Sequence, residues 1–355
     1  MNRPDGATHT ELTDPELLRE RLTAPGDFGL IGPPVLSRNA LHRDEMLRTD
    51  VDRQLRGWPS ARLVIVDAEG RTPVDWAAGA PPSGGWDLVD DSGARLRTSP
   101  TTGDAPPPEA VLLGEADGVA YWAMRGEPDA DARARVNPAE RYAAASDLGD
   151  WVDLRTAGSA LDDLGAGLFV AAAAILNWHD AAGFCPRDGS PTHPAAAGWH
   201  RLCEAAGHEE YPRTDPAVIC LVHDGAERVL IARQPVWPEG RFAVLAGFVE
   251  AGESLEACVA RELHEEVGVA VRAVRYLGSQ AWPFPRSLMI GFHALADPGV
   301  PLRPADGEIA EAKWITRADL RGALAHGDWG AKAPLLLPGR VSIARSMLES
   351  WAAIN

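Results

Sequence analysis

Residues 247–269 read GFVEAGESLEACVARELHEEVGV. Five residues separate Gly247 from Glu253, and seven separate Glu253 from Arg261-Glu262-Leu263. Glu265-Glu266 and Gly268-Val269 follow, each after one intervening position. Glu262, Glu265 and Glu266 stand at i, i+3 and i+4, so a helix gathers their carboxylates on one face. Such groups repel one another unless a hard cation lies among them. Mg²⁺ accepts carboxylate oxygens while keeping waters and binding phosphates. Arg261 precedes this face and is placed to pair with Glu253, tying loop to helix. Gly247, Gly252 and Gly268 supply sharp turns at the two ends. The competing reading is an amphipathic helix with a solvated acidic face. It accounts for the carboxylates but not for the glycines or Glu253.

The spacing resembles the Nudix box at every fixed position. The resemblance implies a Mg²⁺- or Mn²⁺-dependent hydrolase of a nucleoside diphosphate linked to another moiety, with Glu262, Glu265 and Glu266 holding the metal. Glu266 is the expected general base or the ligand sharing the attacking water. Glu308, in Asp306-Gly307-Glu308-Ile309, resembles the downstream glutamate that family members supply from a loop as a further ligand or base. Glu311 competes for that role, but its neighbours Ala312-Lys313-Trp314 read as strand.

A chain of 355 residues exceeds what one core usually organises. A net charge of −17 argues against a broad basic surface for nucleic acid. It suits a small substrate met through cations. The four cysteines are too few for a disulfide framework. The opening MNRPDGATHTELTDPELL has no apolar targeting segment, and LGAGLFVAAAAIL at 164–176 is too short to span a bilayer. A cytoplasmic protein with no membrane partner is expected.

Residues 1–155 are expected to form a β-rich α+β domain. Within it lie a strand at 62–66, a hairpin from 109–114 and 119–124, and short helices at 17–22 and 43–55. Asn137-Pro138 reads as the start of another helix. The segment 79–108 is crowded with Pro and Gly and reads as irregular. A linking helix is expected within 156–182, and no internal repeat is visible.

Residues 183–212 have ribbon-like spacing: Cys185, two residues, Asp188, fourteen residues, Cys203, four residues, His208. A zinc ribbon would place Cys at 188 and 208. Asp and His can also ligate zinc, which admits a Cys₂AspHis site, though carboxylate is the harder ligand. The alternative is a ribbon whose metal is lost and whose thiols are free.

Residues 213–355 alternate strand and helix, giving an α/β fold: an α/β/α sandwich on a mixed sheet with a C-terminal helix. Strands are expected at 217–223, 228–233, 242–249, 269–277, 287–296 and 311–316, with the box helix at 255–267 capped by Ser254. Downstream, Ser279-Gln280, Trp282-Pro283-Phe284-Pro285 and Ser287 resemble the signature of the NADH pyrophosphatase / NAD-capped RNA hydrolase subfamily. The usual pattern has Pro where this chain has Ala281. The resemblance implies cleavage of NAD(H) to nicotinamide mononucleotide and AMP, and removal of NAD caps from RNA. It also implies a homodimer with a shared active site: the nicotinamide ring stacks between Phe248 and Trp282, Gln280 binds the substrate, Ser287 helps fix loop or ligand, and Tyr211 arrives from the partner. Stacking suits a flat ring, and prolines stiffen the loop that presents it. A box enzyme acting on ADP-ribose or a dinucleoside polyphosphate is the nearest rival. A non-catalytic nucleotide sensor is the rival of a different class, and it should have lost box glutamates.

Overall fold

The computed structural model describes residues 26–76, 93–126, 150–326 and 333–354. The helices expected at 17–22 and from Asn137 lie outside these residues. Strand Asp215–His223 is the centre of the C-terminal domain. It is buried on both faces, as a continuous apolar run requires. Alternate side chains part to opposite sides: Val218, Cys220 and Val222 join one core, Ile219 and Leu221 the other. The sheet runs Arg272–Trp282, Ser287–Leu295, Asp215–His223, Arg228–Arg233, Glu311–Thr316, with Leu245–Phe248 also pairing to Asp215–His223. The pairing of Asp215–His223 with Ser287–Leu295 is parallel and the others are antiparallel. Helix Leu255–Val267 covers one face; helices Arg317–Ala325 and Ile343–Ala352 cover the other.

Several strands differ from expectation in length, and two of the differences bear on the site. The third strand is Leu245–Phe248, because Ala243 makes only an isolated bridge to Ala232. Strand Arg272–Trp282 runs five residues beyond the expected end at Leu277. Cross-strand pairing continues to Trp282↔Ser287, which leaves only Pro283–Arg286 for the turn. The aromatic motif is therefore the tip of a hairpin. The expected helix at 43–55 divides into Glu45–Thr49 and Val51–Gly57, because the Asp50 side chain accepts from Arg53 N at 2.9 Å and caps a new start.

The N-terminal domain repeats a pairing pattern that the residues conceal. Arg62–Val66 runs parallel to Val119–Arg125, which is antiparallel to Val111–Ala116. The C-terminal domain has the same relation among Asp215–His223, Ser287–Leu295 and Arg272–Trp282. Helix Asp163–Ala181, capped by Asp162, packs on the N-terminal sheet through Leu168, Ala172 and Leu176. Its Phe169, Val170 and Ala173 join a second core that reaches Val341, Trp282 and Phe284. Burial on several sides explains its apolar, Ala-rich composition.

Candidate active site

The box helix is Leu255–Val267, as the spacing predicts. Ser254 Oγ accepts from Ala257 N at 3.2 Å, and Gly268 ends the helix at φ 73°. Arg261 is the hub that organises the acidic face. Its Nε and Nη2 donate to the two Glu253 oxygens at 2.8 and 2.9 Å, and Nη1 donates to Glu262 and Glu265 at 3.0 Å each. Nη2 also donates to the Phe248 carbonyl at 3.0 Å, fixing the preceding strand to the helix. The guanidinium holds the Glu253 carboxyl below its ordinary range.

Glu262 lies directly over Gly247. Glu266 is 8% exposed, and its Oε2 is buried with no hydrogen-bond partner. Burial first, then the charges of Glu262, Glu308 and Glu265, push its carboxyl up to about 8. Burial also raises Glu262. Glu265 is more open, with a side chain 57% exposed.

Glu308 reaches this cluster for a traceable reason. A helix C-terminus leaves carbonyls unsatisfied. Arg303 N donates to Val267 O and Ala305 N to Glu266 O, each at 2.8 Å, so the loop carrying Glu308 is laced to the end of the box helix. Glu311 instead pairs with Lys313 at 3.0 Å on its strand. These four carboxylates offer oxygens only, and one oxygen is buried without a partner. That donor set fits a hard divalent cation.

Beside Glu266 lies a cavity of about 460 Å³, whose lining includes Trp282, Trp237, Met289, Val341 and Arg155. The Trp282 and Phe284 rings meet edge-on with centroids 4.9 Å apart. Phe248 is 61% exposed and stands outside this lining. Tyr211 is 58% exposed and donates to Glu209 Oε2 at 2.6 Å. Ser287 opens its strand opposite Trp282. Gln280 requires a correction. It is 1% exposed, its Oε1 accepts from Leu36 N at 3.3 Å, and its Nε2 donates to Val341 O at 3.0 Å. Both ends of the amide are engaged by backbone, so Gln280 supports the cavity wall rather than facing a ligand. Sequence reasoning missed Trp237 and Arg155 at the cavity. Arg155 comes from a segment far from the box and Trp237 from the loop before it, and no local pattern marks them.

In the ribbon, Cys185, Asp188, Cys203 and His208 bring one donor atom each to within 4.8 Å of one another. Two matched turns hold them: Gly189 N donates to Cys185 O and Gly207 N to Cys203 O, each at 2.9 Å. Cys185 Sγ lies 3.5 Å from His208 Nδ1, and Cys203 Sγ 3.4 Å from Asp188 Oδ2. Two thiols, an imidazole and a carboxylate fit a tetrahedral zinc site.

These features together define a Nudix hydrolase, and the chain belongs to that family. Residues 213–336 match the NUDIX domain, 180–211 the NADH pyrophosphatase zinc ribbon domain, and 62–178 the NADH pyrophosphatase-like rudimentary NUDIX domain. The last match agrees with the pairing pattern shared by the two halves. The chain is 51% identical over 332 residues to the NAD-capped RNA hydrolase NudC of Mycobacterium tuberculosis, covering 92% of this chain and 97% of that one. It is 40% identical over 211 residues to the mitochondrial NAD(P)H pyrophosphatase NUDT13 of Mus musculus, covering 57% and 59%.

Proposed function

We propose that this protein hydrolyses the diphosphate of NAD(H) to nicotinamide mononucleotide and AMP, and removes the same group from RNA 5′ ends capped with NAD. The observation that carries this reading is a single cavity bounded by both Glu266 and Trp282. It sets a pyrophosphate-cleaving carboxylate beside an aromatic ring able to stack on a flat base. The long relative bearing the decapping name supports the second substrate.

Glu262, Glu265, Glu266 and Glu308 would hold Mg²⁺ or Mn²⁺. The cation supplies charge neutralisation and polarisation of the diphosphate when bound. The chain's own groups do the rest. Arg261 holds Glu262 and Glu265 in one pose. Glu266 Oε2, free of any competing hydrogen bond, accepts the proton of the attacking water. Trp282 and the apolar lining exclude bulk water from the bond to be cleaved.

We place zinc in the ribbon as a structural ion. We further assign the working form as a homodimer. Tyr211 and Phe248 are both solvent-exposed aromatics, and a second copy could bring the partner's ring opposite Phe248. Four unpaired cysteines are consistent with a reducing cytoplasm as the setting.

The test is incubation with NADH and Mg²⁺, with products resolved by chromatography, beside Glu266→Gln. AMP and reduced nicotinamide mononucleotide should form at least about a hundredfold more slowly with the variant than with the unmodified protein. Faster turnover of ADP-ribose than of NADH would overturn the substrate assignment.

A further inference from the structure

The tip of the aromatic hairpin is held from both halves of the chain: within its own domain Arg286 Nε donates to Asp215 Oδ2 at 2.8 Å, while the carbonyls of Pro283 and Pro285 are met from the N-terminal half. Asn177, on helix Asp163–Ala181, donates from Nδ2 to Pro283 O at 3.1 Å and to Pro285 O at 3.2 Å. Its Oδ1 accepts from Arg125 Nη2 at 3.0 Å. Only one orientation of the amide satisfies all three partners, since the flipped group would set oxygen against two carbonyls and nitrogen against a guanidinium. Arg125 is itself fixed, donating from Nη1 to Asp67 O at 2.8 Å and from Nε to Asp180 Oδ2 at 3.1 Å. A continuous set of hydrogen bonds thus runs from the N-terminal sheet, through the long helix, to the hairpin tip.

Two further contacts from the same half meet the hairpin elsewhere. The Arg155 guanidinium lies 3.6 Å from the centroid of Phe284, and Leu36 N donates to Gln280 just behind the tip. Pro283 and Pro285 have no N–H of their own to donate. The hairpin tip therefore presents bare carbonyls, and Asn177 satisfies two of them at once.

We infer that Asn177 is a positioning residue for catalysis: through Phe284, which packs against Trp282, it sets the pose of Trp282 at the cavity, and this gives the rudimentary N-terminal domain a role in substrate binding. The inference rests on the NAD(H) reading of that cavity. Asn177 touches no reacting atom. It acts through the hairpin by lowering the ordering cost of the surface on which the ring stacks.

Asn177→Asp is the informative variant. It keeps the size of the side chain and an acceptor for Arg125, but replaces the double donor with an oxygen facing two carbonyls. KM for NADH should rise about five- to tenfold, as expected for losing two modest hydrogen bonds, while kcat stays within about twofold. The thermal midpoint should fall by no more than about 5 °C. Hydrogen exchange supplies a readout independent of turnover: the Phe284 and Asp215 amides, which donate to Trp282 O and Arg286 O, should exchange about tenfold faster in the variant, with the box helix unchanged. Asn177→Ala should give the same pattern. Unchanged exchange at the tip, or unchanged KM in a variant whose tip has loosened, would overturn the inference. Absence of NADH turnover by the unmodified protein would instead sink the proposed function, and the exchange experiment would still decide whether Asn177 holds the tip.

Discussion

The carboxylate of Glu262 occupies the space a side chain would take at Gly247: a Cβ there would lie 1.8 Å from Glu262 Cδ. The glycine is thus required by a carboxylate fifteen positions away in the chain. Gly247→Ala should push that carboxylate aside. Because the displaced group is the flexible end of a long side chain, the cost in stability should stay below about 1 kcal/mol. Activity should fall by roughly one to two orders of magnitude, equivalent to about 1.4–2.7 kcal/mol in the barrier. Urea unfolding and steady-state kinetics on the same preparation separate the two effects.

On the proposed mechanism, Glu266→Gln removes a proton acceptor while keeping the shape of the side chain. General-base contributions of about 10²–10⁴ set the expected drop in kcat. KM should change far less. Stability should hold or rise, because burial first, and then the neighbouring carboxylates, disfavour the charge that the variant removes.

Arg261 ties the loop, the strand and three carboxylates together, with its side chain only 14% exposed. Arg261→Lys keeps the charge but cannot form the paired bonds to Glu253. A loss of about 2 kcal/mol is expected from urea unfolding, since hydrogen bonds between charged groups contribute about 1.5–3 kcal/mol each and Lys would retain part of this. Activity should fall as well, because Glu262 and Glu265 lose their shared anchor.

Acid should destabilise the fold through a buried histidine pair. Gly225 N–H donates to His223 Nδ1 at 3.2 Å, so the ring proton sits on Nε2 and points to His293 Nδ1 at 3.1 Å. His293 Nε2 in turn donates to Asp27 at 3.0 Å. Burial chiefly, then His293, pulls His223 from 6.5 down to about 3. The unfolded chain therefore binds a proton that the folded chain refuses. This contribution is complete above pH 6.5 and is lost as pH falls toward 3, at about 1.4 kcal/mol per pH unit. Urea midpoints at pH 7 and pH 5 should differ more for the unmodified protein than for His223→Gln.

The ribbon should bind zinc in a ratio measurable by elemental analysis, and chelation should lower the thermal midpoint. Asp188→Cys replaces a hard oxygen donor with a thiolate. It should hold zinc against a competing chelator at least about tenfold more tightly, consistent with the weight of thiolate in structural sites. Equal retention in both proteins would mean that the carboxylate is not a ligand.

The sequence by itself determined whatever depends on neighbours along the chain. The box helix, its cap at Ser254, its stop at Gly268 and the pairing of Arg261 with Glu253 follow from fixed spacings within a few turns. The ribbon quartet was legible in the same way, since two short turns bring its donors together. Distance along the chain hid the rest. Gln280 looks like a ligand-facing polar residue in its motif, yet its amide is taken by Leu36 and Val341, which only packing brings near. Trp237, Arg155 and Asn177 carry no local signal, because their partners lie in other elements. The kinship of the two halves survives in strand pairing and not in residues, since backbone hydrogen bonds tolerate almost any side chain that fits the face. Local periodicity decides which groups a helix can present; only the folded chain decides what stands opposite them.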